Sequence, residues 1–315
     1  MSSLSQLFLG KRRMYKLGMI IALAALSTLS FAKDTNNKVI YGADDRLDLY
    51  EVTNTLHLDL AKSTAGMIDS SKITFDGDLA TITGPSLKER GMCESERFSE
   101  QMTAANCSGF LVGEDLLVTA GHCMTSEDDC ASNKWVFDYA NNDANTEAAM
   151  TVAASSVYGC SKIISQSLDR SSQDDFALIR LDRKVTDRAP LTVRTTGKVE
   201  DKTPIVVIGH PTGLPTKVAA GANVRNNDSS VFFIANLDTY GGNSGSAVFN
   251  AETGVVEGIL VRGENDYNYD YGQGCRVSNH CTDEGCRGED VTRITNIQAL
   301  MDILGGEAPA EEVKL

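Results

Sequence analysis

The sequence predicts an all-β protein, a sandwich or barrel of many short strands followed by one C-terminal α-helix. From Cys107 onward the apolar tracts are short and rich in β-branched residues: SGFLV, DLLVTA, KWVFD, FALIRL, PIVVIG, VFFIAN and GVVEGILV. Polar or glycine-containing turns separate them, a pattern of strands rather than of buried helices. Helical spacing is confined to the end, where Ile294, Ile297, Leu300, Met301 and Leu304 recur on one face. Thr295 with Gln298 three residues later reads as a capping box, and Gly305-Gly306 as the stop.

At the N-terminus, Lys11, Arg12, Arg13 and Lys16 precede an uncharged apolar run from Leu17 to Ala32 that ends Ser30-Phe31-Ala32. This is the layout of an export signal over residues 1–32, and the run is short for a membrane span of about 20 residues. The 315-residue chain is 42% hydrophobic, enough for one large domain or two subdomains sharing an interface. Its formal net charge of -14 excludes a nucleic-acid binder, which needs clustered Lys and Arg. No repeat or low-complexity linker divides it. KVTDRAPLTVR, residues 184–194, is the best candidate connection, separating a first half at 39–183 from a second at 184–304. Residues 305–315 read as a disordered tail.

Export decides how the eight cysteines read, because an even count in an oxidising compartment suggests disulfides. Cys275, Cys281 and Cys286 with His280 fit zinc spacing poorly, and the acidic stretch GENDYNYDYG reads as a solvated loop rather than a calcium site. Neither a metal nor another cofactor is expected.

The chemistry starts at GGNSGS, residues 241–246. A serine hydroxyl there is a nucleophile only if the chain supplies a base, an orienter and an oxyanion site. Of the four histidines, His122 stands directly after a β-run in LLVTAGHC. Cys123 can pair back to Cys107, and closing that loop contributes about 3 kcal/mol while fixing the imidazole. The orienter should be a buried carboxylate, and Asp175 leads into the apolar run of DDFALIRL, with Asp174 as the competing, more exposed choice. The glycines beside Ser244 let the amides of Gly242 and Ser244 converge on a developing oxyanion. An α/β-hydrolase reading, with Asp270 and His280 following the serine, fails because position 246 is Ser and no alternating strand-helix pattern precedes it. His57 and His210 read as packing or turn residues.

TAGHC with a cysteine upstream, DFALIRL and GGNSGSAVFN together resemble the trypsin-like (chymotrypsin-fold) serine peptidases, and in particular the bacterial branch that includes the glutamyl endopeptidases. The resemblance runs from about Val39 to Leu304 and includes GHPTGLPTK and RITNIQALMDIL. It implies two six-stranded antiparallel β-barrels with the site between them. His122 would be the general base, Asp175 its orienter and Ser244 the nucleophile, with the oxyanion hole at the Gly242 and Ser244 amides. The protein would then be a secreted or periplasmic serine endopeptidase, a monomer acting on protein or peptide substrates through an acyl-enzyme, with no nucleic-acid partner and no stable membrane association. A protease-fold binding or regulatory protein without turnover is the alternative.

Departures from the family are equally informative. Asn243 stands where trypsin has an aspartate that receives the new N-terminus, yet KVIYG at 38–42 resembles an activation site, with 33–38 as a short propeptide released by cleavage after Lys38. Asp238, six residues before Ser244, occupies the position that forms the base of the primary pocket, and a carboxylate there would favour Arg or Lys at P1. Gly263 would be a second substrate-binding residue. Glutamyl relatives use a histidine where this chain has Leu260. They also share the DTYGG string, which leaves open that Asp238 turns away from the pocket.

Overall fold

Period-2 alternation sets the architecture of the first half. The computed structural model describes residues 40–144 and 149–305; the expected export signal at 1–32, the expected propeptide at 33–38 and all of the expected tail at 305–315 except Gly305, which ends a helix, lie outside the described residues. Strands β1 (Ile40–Tyr41) and β2 (Arg46–Asp48) are followed by β3 (Thr64–Asp69), β4 (Ile73–Asp76), β5 (Leu79–Thr83), β6 (Ala105–Gly113), β7 (Leu116–Thr119), β8 (Asn133–Phe137), β9 (Ala149–Ala153), β10 (Val157–Leu168) and β11 (Asp175–Leu181). Six of these close a barrel in the order β10-β11-β7-β6-β3-β8. Its strands read as continuous apolar runs because both faces are covered. Met67, Trp135 and Phe137 point into the barrel core, whereas Ile68 and Val136 pack under a separate sheet of β4, β5 and β9.

The second barrel repeats the device. It comprises β12 (Pro204–Gly209), β13 (Lys217–Asn226), β14 (Phe232–Ala235), β15 (Ala247–Asn250), β16 (Val256–Arg262) and, after β17 (Tyr267–Asp270), β18 (Cys275–Ser278) and β19 (His280–Cys281), the last strand β20 (Glu289–Arg293). The order is β12-β15-β16-β20-β14-β13, closed by pairing of β12 with β13. Ile205 and Val207 fill its interior with Phe233, Val248 and Val291. Val206 and Ile208 point the other way, into the same apolar cluster as the first barrel's core. The protein is thus two six-stranded antiparallel barrels sharing one apolar seam, with a C-terminal helix.

Among the described residues three short α-helices accompany the strands: α1 (Thr55–Ala61), capped by the Asn54 side chain, α2 (Glu127–Ser132), with a Ser126–Asp129 capping box, and α3 (Gln298–Gly305). Ile294, Ile297 and Leu300 are fully buried in the shared seam. The capping box expected at Thr295 does not form. Ile294–Asn296 makes a single 3-10 turn instead, and the Gln298 amide donates to Asp302 within the helix.

The N-terminal segment departs from the expected division at residue 184. β1 pairs in parallel with β19, and β2 adds to β13, so residues 40–48 associate with the second barrel. Four disulfides use all eight cysteines: Cys93–Cys275, Cys107–Cys123, Cys130–Cys160 and Cys281–Cys286. Among the described residues, no helix is long and apolar enough to cross a membrane.

Candidate active site

β7 ends at Thr119 and the chain turns through Gly121–Cys123, one 3-10 turn with His122 at its centre. The Cys107–Cys123 disulfide pins this turn to β6. Glycine is required at 121: a Cβ there would lie 1.9 Å from the Ser167 carbonyl oxygen and within 2.9 Å of the Phe176 backbone, so any side chain would push the turn off β10 and β11. Held that close, His122 meets Asp175, the first residue of β11. Its backbone N–H donates to Oδ1 at 3.0 Å and its Nδ1 lies 2.8 Å from Oδ2. The carboxylate is 5% exposed and the imidazole 34%. With Nδ1 donating to the carboxylate, Nε2 carries the lone pair and has no partner among the described residues. Asp174 points elsewhere, accepting from the Asn296 amide at 3.0 Å.

Ser244 sits in the loop before β15, and that loop is fastened to the first barrel beside His122. Ser108 on β6 donates its N–H to the Ser244 carbonyl and its hydroxyl to the Gly242 carbonyl, each at 2.8 Å. The Cys123 sulfur lies 3.7 Å from the same Ser244 oxygen. Gly245, at φ +88°, makes the approach possible, since a Cβ would come within 2.1 Å of the Ser108 carbonyl oxygen and 2.3 Å of Thr119 Oγ1.

The amides of the loop are used alternately. Gly241 N–H donates to Asp266, Asn243 N–H to Tyr240, Gly245 N–H to Leu260 and Ser246 N–H to Asn243. The N–H groups of Gly242 and Ser244 have no acceptor among the described residues. Their directions are nonetheless fixed, because a peptide group is planar and trans. The Gly241 carbonyl accepts from Thr212 N–H at 2.6 Å and the Asn243 carbonyl from Ser246 N–H at 2.8 Å, which sets the opposite-pointing amides of Gly242 and Ser244. Two oriented, unpaired donors flanking a serine can stabilise a developing negative charge.

Residues 107–259 match the family described as the trypsin-like peptidase domain. That matched segment, just under half of the chain, is similar to the trypsin-like peptidase domain. No curated protein sequence matches it. The solved structures similar to it include a Glu endopeptidase in complex with MPD, 17% identical with a TM-score of 0.47, covering 86% of this chain and 100% of that one, and the VesB protease of Vibrio cholerae, 14% identical with a TM-score of 0.47, covering 84% of this chain and 66% of that one.

Beside Ser244 the protein has a cavity of about 100 Å³, lined among others by Tyr240, Gly241, Leu260, Gly263 and Glu289. Asp238, expected at its base, is not in the lining. The carboxylate is turned to the N-terminal segment, where Oδ1 accepts the Tyr41 N–H at 2.7 Å and Oδ2 the Asp45 N–H at 2.9 Å. A buried carboxylate goes where donors are, and β1 with the turn after it lays them beside it. Burial pushes its pKa up to about 7, assisted by Asp44 and Asp45.

Glu289 is in the lining instead. It opens β20, is 4% exposed, and a Cβ at Gly263 would meet its Oε2 at 1.5 Å. Thr239 Oγ1 donates to Oε2 at 3.0 Å and Glu264 N–H to Oε1 at 3.3 Å. No cation pairs with it among the described residues. Burial pushes its pKa up to about 8, with Asp266 and Glu264 adding to the rise. The signal was present in GEDVTR, an acid leading into a strand just as Asp175 leads into DFALIRL.

His210 is fully buried, Nδ1 lying 3.1 Å from the Leu214 carbonyl, and burial pulls its pKa down to about 4. His57 is buried on α1 and His280 lies on β19. Cys275, Cys281 and Cys286 are oxidised in disulfides and offer no thiolate to a metal. The same holds for Cys107 and Cys123, whose sulfurs lie near the His122 ring. Asn243 accepts from the Ser246 hydroxyl at 3.2 Å.

Proposed function

We propose that this protein is an exported serine endopeptidase that cleaves after Arg or Lys. The observation that carries the reading is the His122–Asp175 pair, with Nε2 bare, beside a loop whose Gly242 and Ser244 amides are oriented and unpaired. In the mechanism, His122 Nε2 takes the proton of the Ser244 hydroxyl as its oxygen attacks the substrate carbonyl. The oxyanion is held by the two amides. Asp175 remains a carboxylate and stabilises the imidazolium, which returns the proton to the leaving amine. Water then enters by the same steps in reverse and releases the acyl group.

Glu289 supports the basic preference. A cation entering the cavity would meet a carboxylate without a cationic partner, with Glu264 and Asp266 also in the lining. Asn243 in GGNSGS favours the bacterial branch that includes the glutamyl endopeptidases, but Leu260 on the cavity wall offers nothing to an acidic side chain. Export is supported by the N-terminal signal and by four disulfides, which persist in oxidising compartments. Release of residues 33–38 by cleavage after Lys38 would leave Val39 next to β1, whose Tyr41 N–H rests on Asp238. N-terminal sequencing of fully active secreted protein should begin at Val39; Lys33 as first residue would remove the processing step.

The experiment is labelling with a fluorophosphonate probe followed by a panel of chromogenic peptides. Modification at Ser244 and cleavage after Arg or Lys are expected. Cleavage after Glu would overturn the P1 assignment, and a folded protein that resists the probe would overturn the enzyme reading.

A further inference from the structure

Across the Gly241–Gly242 turn from Glu289 lies a larger cavity of about 540 Å³, whose lining includes Lys72, Arg90, Arg276, Thr212, Gly242 and Asp266. Its three cations come from separate segments. Lys72 ends the 3-10 turn after β3, Arg90 lies in the long connection between β5 and β6, and Arg276 is on β18. The Cys93–Cys275 disulfide gathers two of these segments, together with Cys93 N–H to Arg276 O and Arg276 N–H to Gly91 O, both at 2.9 Å.

None of the three side chains is ion-paired with a carboxylate among the described residues. Lys72 donates to the Ala104 carbonyl at 2.9 Å and Arg90 to the Thr212 carbonyl at 2.7 Å, so both are held in place without being neutralised. Burial and, after it, the charge of Arg90 lower the pKa of Lys72, with Asp69 offsetting part of the effect. The one carboxylate in the lining, Asp266, is committed through Oδ2 to the Gly241 N–H at 2.7 Å, and burial raises its pKa. A chain of net charge -14 has therefore built a local positive basin beside its candidate catalytic loop.

Its position defines which part of a substrate it meets. The cavity touches Gly242, whose amide faces the reacting carbonyl, but none of residues 260–263, which line the pocket for the acyl side. A chain bound for cleavage would pass over it with the residues that follow the scissile bond. We propose that this cavity is a leaving-group subsite for acidic side chains, so that the preferred substrates carry Asp or Glu one to three residues after the bond that is cut. The proposal rests on the peptidase reading above.

The test uses the mature protein and matched, C-terminally amidated, internally quenched peptides with Arg at P1 and either Glu or Gln at P1′, P2′ or P3′. Active enzyme is counted by fluorophosphonate labelling. The wild type should show kcat/KM about five- to tenfold higher for Glu than for Gln in at least one position, falling as salt is raised to about 0.5 M. Arg90→Gln and Arg276→Gln should each lower that ratio, and the double variant should bring it close to one. Because Arg90 also holds the Thr212 carbonyl, Arg276→Glu provides an independent arm: its side chain lacks that duty, and the charge reversal should invert the preference. A ratio near one at all three positions overturns the subsite, as does a ratio that survives both substitutions. Absence of cleavage together with absence of labelling sinks the peptidase reading and the subsite with it, whereas cleavage without charge preference sinks the subsite alone.

Discussion

The backbone N–H of Ser108 donates to the carbonyl of Ser244 at 2.8 Å, joining β6 of the first barrel to the Ser244 loop of the second. The Ser108 hydroxyl extends the clasp, donating to the Gly242 carbonyl at 2.8 Å and accepting the His210 N–H at 3.0 Å. One side chain thus braces the loop from below while the amides of Gly242 and Ser244 stay open. Ser108→Ala should lower kcat on an arginyl chromogenic substrate about tenfold with little change in KM, since the interaction matters for an oxyanion that exists only in the transition state. It should also lower stability by about 1–3 kcal/mol, because the buried His210 amide loses its acceptor. Wild-type kcat in a variant that is merely less stable would show that the loop holds its geometry without the hydroxyl.

The pairing of His122 with Asp175 makes a sharper demand. Asp175→Asn preserves size but presents an amide to Nδ1, so the imidazole takes the tautomer that leaves no lone pair at Nε2, and kcat should fall about 10⁴-fold at neutral pH. Asp174→Asn should stay within about twofold, as that side chain is bonded to Asn296 and not to the imidazole. Single-turnover kinetics and the rate of probe labelling check both. Equal losses in the two variants would mean that the β11 strand end, rather than the carboxylate behind His122, carries the effect.

The contrast between these neighbours shows what the sequence could express. Apolar tracts such as FALIRL and PIVVIG are buried on both faces, so their strand character was visible without knowing their partners. Asp175 was legible for a related reason, as an acid at the head of such a strand is drawn inside with it. The fate of Asp238 was not, because it depends on donors from Tyr41 and Asp45, nearly 200 residues away, delivered by the pairing of β1 with β19. Glu289 leads into β20 in the same manner, but its place opposite Gly263 exists only in the closed barrel. The cationic cavity depends on a disulfide spanning 182 residues, a pairing that one-dimensional spacing leaves open. The cap at Thr295 failed locally: the 3-10 turn at Ile294–Asn296 displaces the helix start to Gln298, which then spends its side chain on Asp302.

If Glu289 receives the P1 cation, its protonation couples to binding. The free carboxyl has a pKa of about 8 and is largely protonated at pH 6, whereas a bound amidinium favours the ionised form. Benzamidine should therefore bind more tightly as pH rises towards 8, by up to about tenfold per unit, and release a proton as it does so. Glu289→Gln should weaken binding at pH 8 by about tenfold or more and flatten this component of the profile. Asp238→Asn should leave the slope in place, because that carboxylate is occupied by backbone donors. Inhibition constants measured from pH 5.5 to 9 decide the matter, and a slope that persists in Glu289→Gln but vanishes in Asp238→Asn would return the specificity role to Asp238.

The same two carboxyls set the direction of the pH dependence of folding. Both have folded pKa values raised above their ordinary ones, Glu289 from 4.5 to about 8 and Asp238 from 3.8 to about 7, and desolvation is the largest cause in each. Between about pH 4 and pH 8 the folded protein therefore holds more protons at these sites than the unfolded chain does. Stability contributed here is present below the unfolded values and is lost as pH rises through the folded ones. Urea unfolding with the disulfides intact should give a protein less stable at pH 8 than at pH 5, by about 1–3 kcal/mol. Glu289→Gln should remove part of the difference, mainly by becoming relatively more stable than wild type at pH 8. Benzamidine should act on the same portion at pH 8, since a cation beside the ionised Glu289 supplies the charge that burial took away. A wild-type stability that is flat or rising from pH 5 to pH 8, with the variant parallel to it, would mean that neither group holds its proton in the folded state.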